Sequence, residues 1–185
     1  MDKKVNLGKI SRKIKNCKKC VLYKEAKNAV FGQGPVNSRI MFVGESPGRE
    51  EDLSGLPFVG RSGKFLTKLI ERAGLKREKV FITSVIKHRP PKNRKPKKEE
   101  ARLCLPYLES QIEIINPKTI VLLGQTAFSA FFPKEKLKYF RGKTINKTGR
   151  RFFVTYHPAA GIRFQKIRTL LQRDFIRFRR NLVFR

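Results

Sequence analysis

Four short runs of β-branched and aromatic residues punctuate this chain, and each stops at a turn before a helical pattern begins. Residues 39–43 end at Gly44-Glu45-Ser46-Pro47-Gly48, residues 80–86 at Lys87-His88-Arg89-Pro90-Pro91, residues 119–123 at Gly124, and residues 151–156 at His157-Pro158. Short apolar runs bounded by Gly and Pro read as strands. Between them, residues 62–73 and 99–115 carry apolar side chains at helical spacing, and the second stretch ends at Asn116-Pro117, where a helix is expected to stop. Strand and helix in alternation predict an α/β fold built on a parallel sheet. Ligands of such sheets bind beyond the carboxyl ends of the strands, so Glu45, Ser46 and Phe58 are expected to face one crevice.

A chain of 185 residues suits one domain with one real core, and 39% hydrophobic residues fit a soluble globular protein. No uninterrupted apolar stretch approaches a membrane span, and the lysine-rich start lacks the apolar segment of a secretory signal, so the expected location is inside the cell. The formal charge of +30, from 44 Lys and Arg against 14 Asp and Glu, calls for a polyanionic partner. Each neutralised phosphate releases counterions, so nucleic acid is the expected partner, bound with strong salt dependence and little sequence preference. Charge alone does not separate DNA from RNA, ribosome or acidic membrane.

Three cysteines do not make a disulfide framework, but their spacing suggests a metal. Cys17 and Cys20 close a basic helical stretch at residues 10–20, with the two intervening residues that let two thiolates reach one metal. Cys104 falls in the helical stretch 99–115, and His88 follows the second strand. Three Cys and one His complete four ligands, a set that by its chemistry suits zinc. Between His88 and Cys104, loop 90–98 is stiffened by prolines and turns Arg94 and Lys95 outward as a phosphate clamp. Residues 164–182 form an amphipathic closing helix with a cationic outer face.

Gly44-Glu45-Ser46-Pro47-Gly48, then Glu51-Asp52, then Gly55-Leu56-Pro57-Phe58-Val59-Gly60-Arg61-Ser62-Gly63 resembles the first signature of the family 4 uracil-DNA glycosylases, the iron-sulfur branch of their superfamily. His157-Pro158-Ala159-Ala160 resembles the second. The resemblance implies a three-layer αβα domain around a central four-stranded parallel sheet, spanning residues 1–185 with an N-terminal metal-binding segment at 1–30. It implies a DNA repair enzyme that flips uracil out of DNA and hydrolyses its N-glycosidic bond. His157 is then the donor to the developing charge on the base, while Glu45 and Ser46 orient the water. Gly44, Phe58 and Ser84 line the base pocket, with Phe58 as the stacking ring, and Ile162 and Arg163 are candidates for a wedge entering the minor groove.

The same resemblance turns Cys17, Cys20, His88 and Cys104 into ligands of a 4Fe-4S cluster, with zinc as the alternative because His88 stands where the family has Cys. Two further departures fall in the proposed pocket. Ser46 replaces the usual Ala, where the strongest catalysts of the superfamily carry Asp, so water activation is expected to be modest. Ser84 replaces an Asn whose carboxamide matches the edge of uracil, and a hydroxyl cannot present donor and acceptor together. Excision of another deaminated base, hypoxanthine or xanthine, and a non-catalytic DNA-binding homologue therefore stay open. The expected setting is a monomer on DNA in the cytoplasm of a prokaryotic cell, associated with the nucleoid.

Overall fold

Strand β1 (Ile40–Gly44) is buried along its whole length because both of its faces are covered. Ile40 and Phe42 enter one core, and Met41 and Val43 enter another. A computed structural model describes residues 2–182. The first core is closed by α3 (Arg61–Arg72) and α7 (Gln165–Asn181), which contribute Phe65, Leu66, Leu69, Phe175 and Phe178. The second is closed by α1 (Lys3–Lys15), α4 (Lys98–Ile115) and α5 (Gln125–Phe131), through Leu7, Leu108, Ile112 and Phe128. Two apolar faces on one sheet require two helical layers, which is the three-layer arrangement expected.

Among the described residues the sheet has five strands rather than four, in the order β2-β1-β3-β5-β4. Strands β1, β2 (Phe81–Ser84), β3 (Thr119–Leu123) and β5 (Arg150–Thr155) are parallel neighbours. The additional strand, β4 (Thr144–Lys147), pairs antiparallel with β5 at the sheet edge. Its sequence Thr-Ile-Asn-Lys is almost wholly exposed, so it lacks the apolar run by which the others are recognised. A two-residue turn, Thr148-Gly149, joins it to β5 with both residues left-handed (φ 50° and 73°), the backbone that a tight hairpin requires.

β2 and β3 flank β1 on opposite sides, so the connections from β1 and β2 run in opposite directions across the sheet. A crevice opens at the carboxyl ends where that reversal occurs. Two short helices, α2 (Arg49–Ser54) and α6 (Pro158–Arg163), follow β1 and β5 at this end. The first helix ends at Lys15, capped by Asn16, earlier than the basic stretch 10–20 suggested. Cys17 and Cys20 therefore lie in the turn after it. Among the described residues no helix is long and apolar enough to cross a membrane.

Candidate active site

Gly44 ends β1 where the Phe58 ring crosses it. A Cβ there would lie 2.5 Å from Phe58 Cζ and 3.7 Å from His157 Nε2, so only glycine lets the ring settle onto the strand end. The Phe58 and His157 rings stand 5.7 Å apart at 30°. Phe58 is held with a left-handed backbone, φ 52°. For a bulky residue this costs on the order of 1–3 kcal/mol and persists only where the surroundings impose it.

Part of that constraint is Glu51. Its buried carboxylate accepts from the amide of Gly48 at 3.0 Å and from those of Val59 and Gly60 at 2.9 Å each. One side chain thus ties the turn after β1 to the loop carrying Phe58. Glu45 is fixed separately, accepting a hydrogen bond from the Thr126 hydroxyl of α5.

His157 caps α6, and its Nδ1 accepts from the Ala159 amide at 3.2 Å. The neutral ring therefore carries its proton on Nε2, the atom turned toward Gly44. Protein crowds the ring, and burial pushes its pKa down to about 4 against the opposing pull of Glu51. Near neutral pH it is an uncharged donor. Gly124, at the end of β3 with φ 90°, leaves room for it, since a Cβ there would come within 3.0 Å of His157 Cβ.

Glu45, Ser46, Phe58, Ser84 and His157 line one cavity of about 350 Å³. Strand ends β1, β2 and β5 thus converge as the sequence led us to expect. Ser84 is buried and its hydroxyl donates to Ile86 O at 2.6 Å, within its own turn. The cavity also holds Asn93, which sequence reasoning passed over in favour of its neighbours Arg94 and Lys95. Asn93 has a left-handed backbone (φ 55°), and its Oδ1 accepts from Arg89 Nε at 2.7 Å. An Asn two residues past a Pro-Pro pair was the available signal, because Asn tolerates that conformation better than most residues.

The outer residues are distributed differently. Arg94 is engaged in a bidentate pair with Glu100 at 2.9 and 2.6 Å, and Glu100 also accepts the Lys97 amide at the start of α4. Lys95 is exposed. Ile162 is half-buried against the core and Arg163 is exposed; both border a groove of about 1010 Å³ that opens beside the cavity and also carries Arg49, Arg61 and Lys64. A second residue missed from sequence is Lys87, fully buried behind Ser84. Its ammonium donates to Thr83 Oγ1 at 2.8 Å, Ser84 O at 2.7 Å and Gln111 Oε1 at 2.8 Å, and burial lowers its pKa to about 7. It ties the end of β2 to α4.

Of the four candidate metal ligands, Cys104 and His88 are buried while Cys17 and Cys20 are partly exposed. The thiols share a neighbourhood. Burial raises the Cys20 pKa, with Cys17 adding to the rise, and burial pushes Cys104 up to about 11, with Cys20 and Cys17 adding to it. Amides of Leu22 and Lys87 oppose these shifts by donating to the Cys20 and Cys104 sulfurs. Burial lowers the His88 pKa. Among the described residues no three His, Cys, Asp or Glu side chains form a ready-made group for a metal ion.

A sequence profile describing the Uracil DNA glycosylase superfamily matches residues 31–178. The chain belongs to that superfamily. Similar proteins place it within the Type-4 branch. The Type-4 uracil-DNA glycosylase of Saccharolobus solfataricus is 47% identical over 180 residues, covering 92% of this chain and 83% of that protein. That of Sulfurisphaera tokodaii is 45% identical over 184 residues, covering 94% and 84%, and that of Pyrobaculum aerophilum is 43% identical over 185 residues, covering 94% and 93%. The matched region contains both signatures and every cavity residue named above.

Proposed function

We propose that this Type-4 glycosylase removes uracil from DNA by hydrolysing the N-glycosidic bond, the opening step of base excision repair. The observation that carries the reading is that His157, a neutral ring with its proton on Nε2, and Phe58 line the same cavity. The uracil nucleotide leaves the helix and its base enters the cavity against Phe58, stacking offsetting part of the cost of unpairing. As the bond from C1′ to N1 breaks, negative charge builds on the base. His157 Nε2–H donates to O2 and stabilises that charge, with no proton transfer needed. Water held by Glu45 and Ser46 then attacks C1′ and gives up a proton to solvent, while the uracil anion leaves and takes up a proton from solvent. Ser46 brings a neutral hydroxyl, so water is oriented more than it is activated.

Base choice follows from donors and acceptors. The Ser84 proton is engaged by Ile86 O, which leaves the Ser84 oxygen to accept a ring N–H. Asn93 Oδ1 is engaged by Arg89, which leaves Nδ2 to donate to a carbonyl. Uracil offers N3–H and O4, and hypoxanthine offers N1–H and O6; cytosine offers the reverse pattern. Two single contacts discriminate less than one bidentate carboxamide, by about 1–3 kcal/mol. On oligonucleotides carrying one uracil, hypoxanthine, xanthine or cytosine, followed by alkaline cleavage, we expect rapid scission at uracil, slow scission at hypoxanthine and none at cytosine. Binding without base release would overturn the enzymatic reading in favour of a DNA-binding homologue.

The groove cations Arg49, Arg61, Lys64 and Arg163, with Lys95, meet the phosphates flanking the flipped nucleotide. We take the protein to act as a monomer at the nucleoid, where a charge of +30 has its counter-charge. Cys17, Cys20, His88 and Cys104 would hold a 4Fe-4S cluster, whose role would be structural, pinning the turn after α1 to α4. Supporting this are thiols close enough that Cys17 adds to the rise at Cys20 and both add to the rise at Cys104, and amides directed at two of the sulfurs, a contact that also tunes such clusters. When bound, the cluster supplies rigidity and no step of the hydrolysis. Purified protein is expected to be yellow-brown, with iron and acid-labile sulfide in equal amounts; a colourless preparation containing zinc overturns the assignment.

A further inference from the structure

Arg77 lies in the short turn Arg77–Lys79 between α3 and β2, outside both signatures, and its side chain is half-buried. Its guanidinium Nη2 donates to Pro57 O at 2.8 Å and to Phe58 O at 3.0 Å, while Nη1 donates to Thr67 Oγ1 at 2.9 Å. Thr67 in turn donates to Gly63 O at 3.2 Å. These are the carbonyls on either side of the left-handed Phe58 backbone. The same carbonyl of Phe58 is pressed against α3, where a Cβ on Gly63 would lie 1.8 Å from it. On the far side, the next two amides are held by Glu51. Arg77 borders a separate pocket with Gln33, Gly34, Pro35, Glu78 and Ile82, away from the cavity that takes the base.

We infer that Arg77 is a positioning residue for base excision: it touches no substrate and acts by fixing the attitude of the Phe58 ring. The inference rests on the reading of the cavity given above. A strained aromatic backbone relaxes unless its carbonyls are held, and relaxation swings the ring off Gly44 and out of parallel with an incoming base. Arginine suits the role because its planar fork serves three acceptors on two segments at once, which a lysine ammonium on a flexible stem does not reproduce. A misplacement of about 1 Å at a reacting site can cost about a hundredfold in rate.

The test compares Arg77→Met, Arg77→Lys, Phe58→Leu and the double variants Arg77→Met/Phe58→Leu and Arg77→Lys/Phe58→Leu in single-turnover excision from uracil-containing duplex. Excision by the unsubstituted protein tests the reading of the site, and the comparison among variants tests Arg77. Expected is a loss of about tenfold to a hundredfold for Arg77→Met, with DNA affinity within about threefold and a smaller loss for Arg77→Lys. The decisive result is that each double variant is no slower than Phe58→Leu alone, because Arg77 acts through that ring. Losses that multiply in the double variants overturn the inference, as does an Arg77→Met protein that excises within twofold of the parent. Should Arg77→Met fail to fold, the lysine pair gives the same comparison.

Discussion

Replacing His157 with Asn is expected to lower the single-turnover rate of uracil release by about 10²–10³-fold, with little change in affinity for uracil-containing duplex. Asn is the informative replacement because it is itself a good N-cap and preserves the bond from the Ala159 amide, while its shorter side chain withdraws the donor from the base. The loss then reports on the transition state and not on α6. The protonation state sharpens the expectation. Since His157 becomes charged only near pH 4, excision by the parent protein should show no acid limb at the ordinary histidine value of 6.5. Stability follows the same sign. The folded pKa lies below the unfolded one, so between about 6.5 and 4 the unfolded chain binds more protons, and stability falls as pH is lowered through that window. Below about 4 this contribution is fully lost and the dependence levels off.

Glu51→Ala is expected to be the most damaging single change to the architecture of the site. It leaves the amides of Gly48, Val59 and Gly60 without their acceptor. At about 1–3 kcal/mol for each unsatisfied buried group, reduced by whatever water reaches them, the loss is about 3 kcal/mol or more. In a domain of this size that is a fall of about 6–12 °C in Tm. Excision should fall as well, because the turn bearing Glu45 and Ser46 and the loop bearing Phe58 are no longer tied together. Glu51→Gln keeps one acceptor oxygen but brings an NH₂ group against an amide donor, so it should fall between parent and Ala in both Tm and rate. An alanine variant with unchanged Tm and rate would show that the loops are held by other means.

The parallel core of this fold could be read from sequence because β1 and β3 are buried along their whole length, and β5 from Phe152 onward, and these stretches are therefore written mainly in apolar residues. Strand β4 could not, since an exposed edge needs no apolar run and its Thr-Ile-Asn-Lys reads as loop. Gly44 and His157 were legible because each sits where a strand must end, and Phe58 through the resemblance of its segment to the family's first signature. The residues that hold them were less so. Arg77 reaches its partners across 20 or fewer positions of chain that a helix folds back, and nothing in its immediate neighbours marks it, whereas Asn93 was marked only by the Pro-Pro pair before it. Arg94 looked like a free cation because its partner, Glu100, comes close only once the loop packs against the start of α4.

The central claim is that a neutral His157 presents Nε2–H to a base lying against Phe58, and nitrogen NMR of the imidazoles reads it directly. The chain has two histidines, so a His88→Asn variant assigns the signals. The account predicts a ring protonated at Nε2 that stays neutral down to about pH 4 and whose Nε2 signal moves when uracil is added with abasic duplex. A ring that titrates near 6.5 and ignores uracil would contradict it.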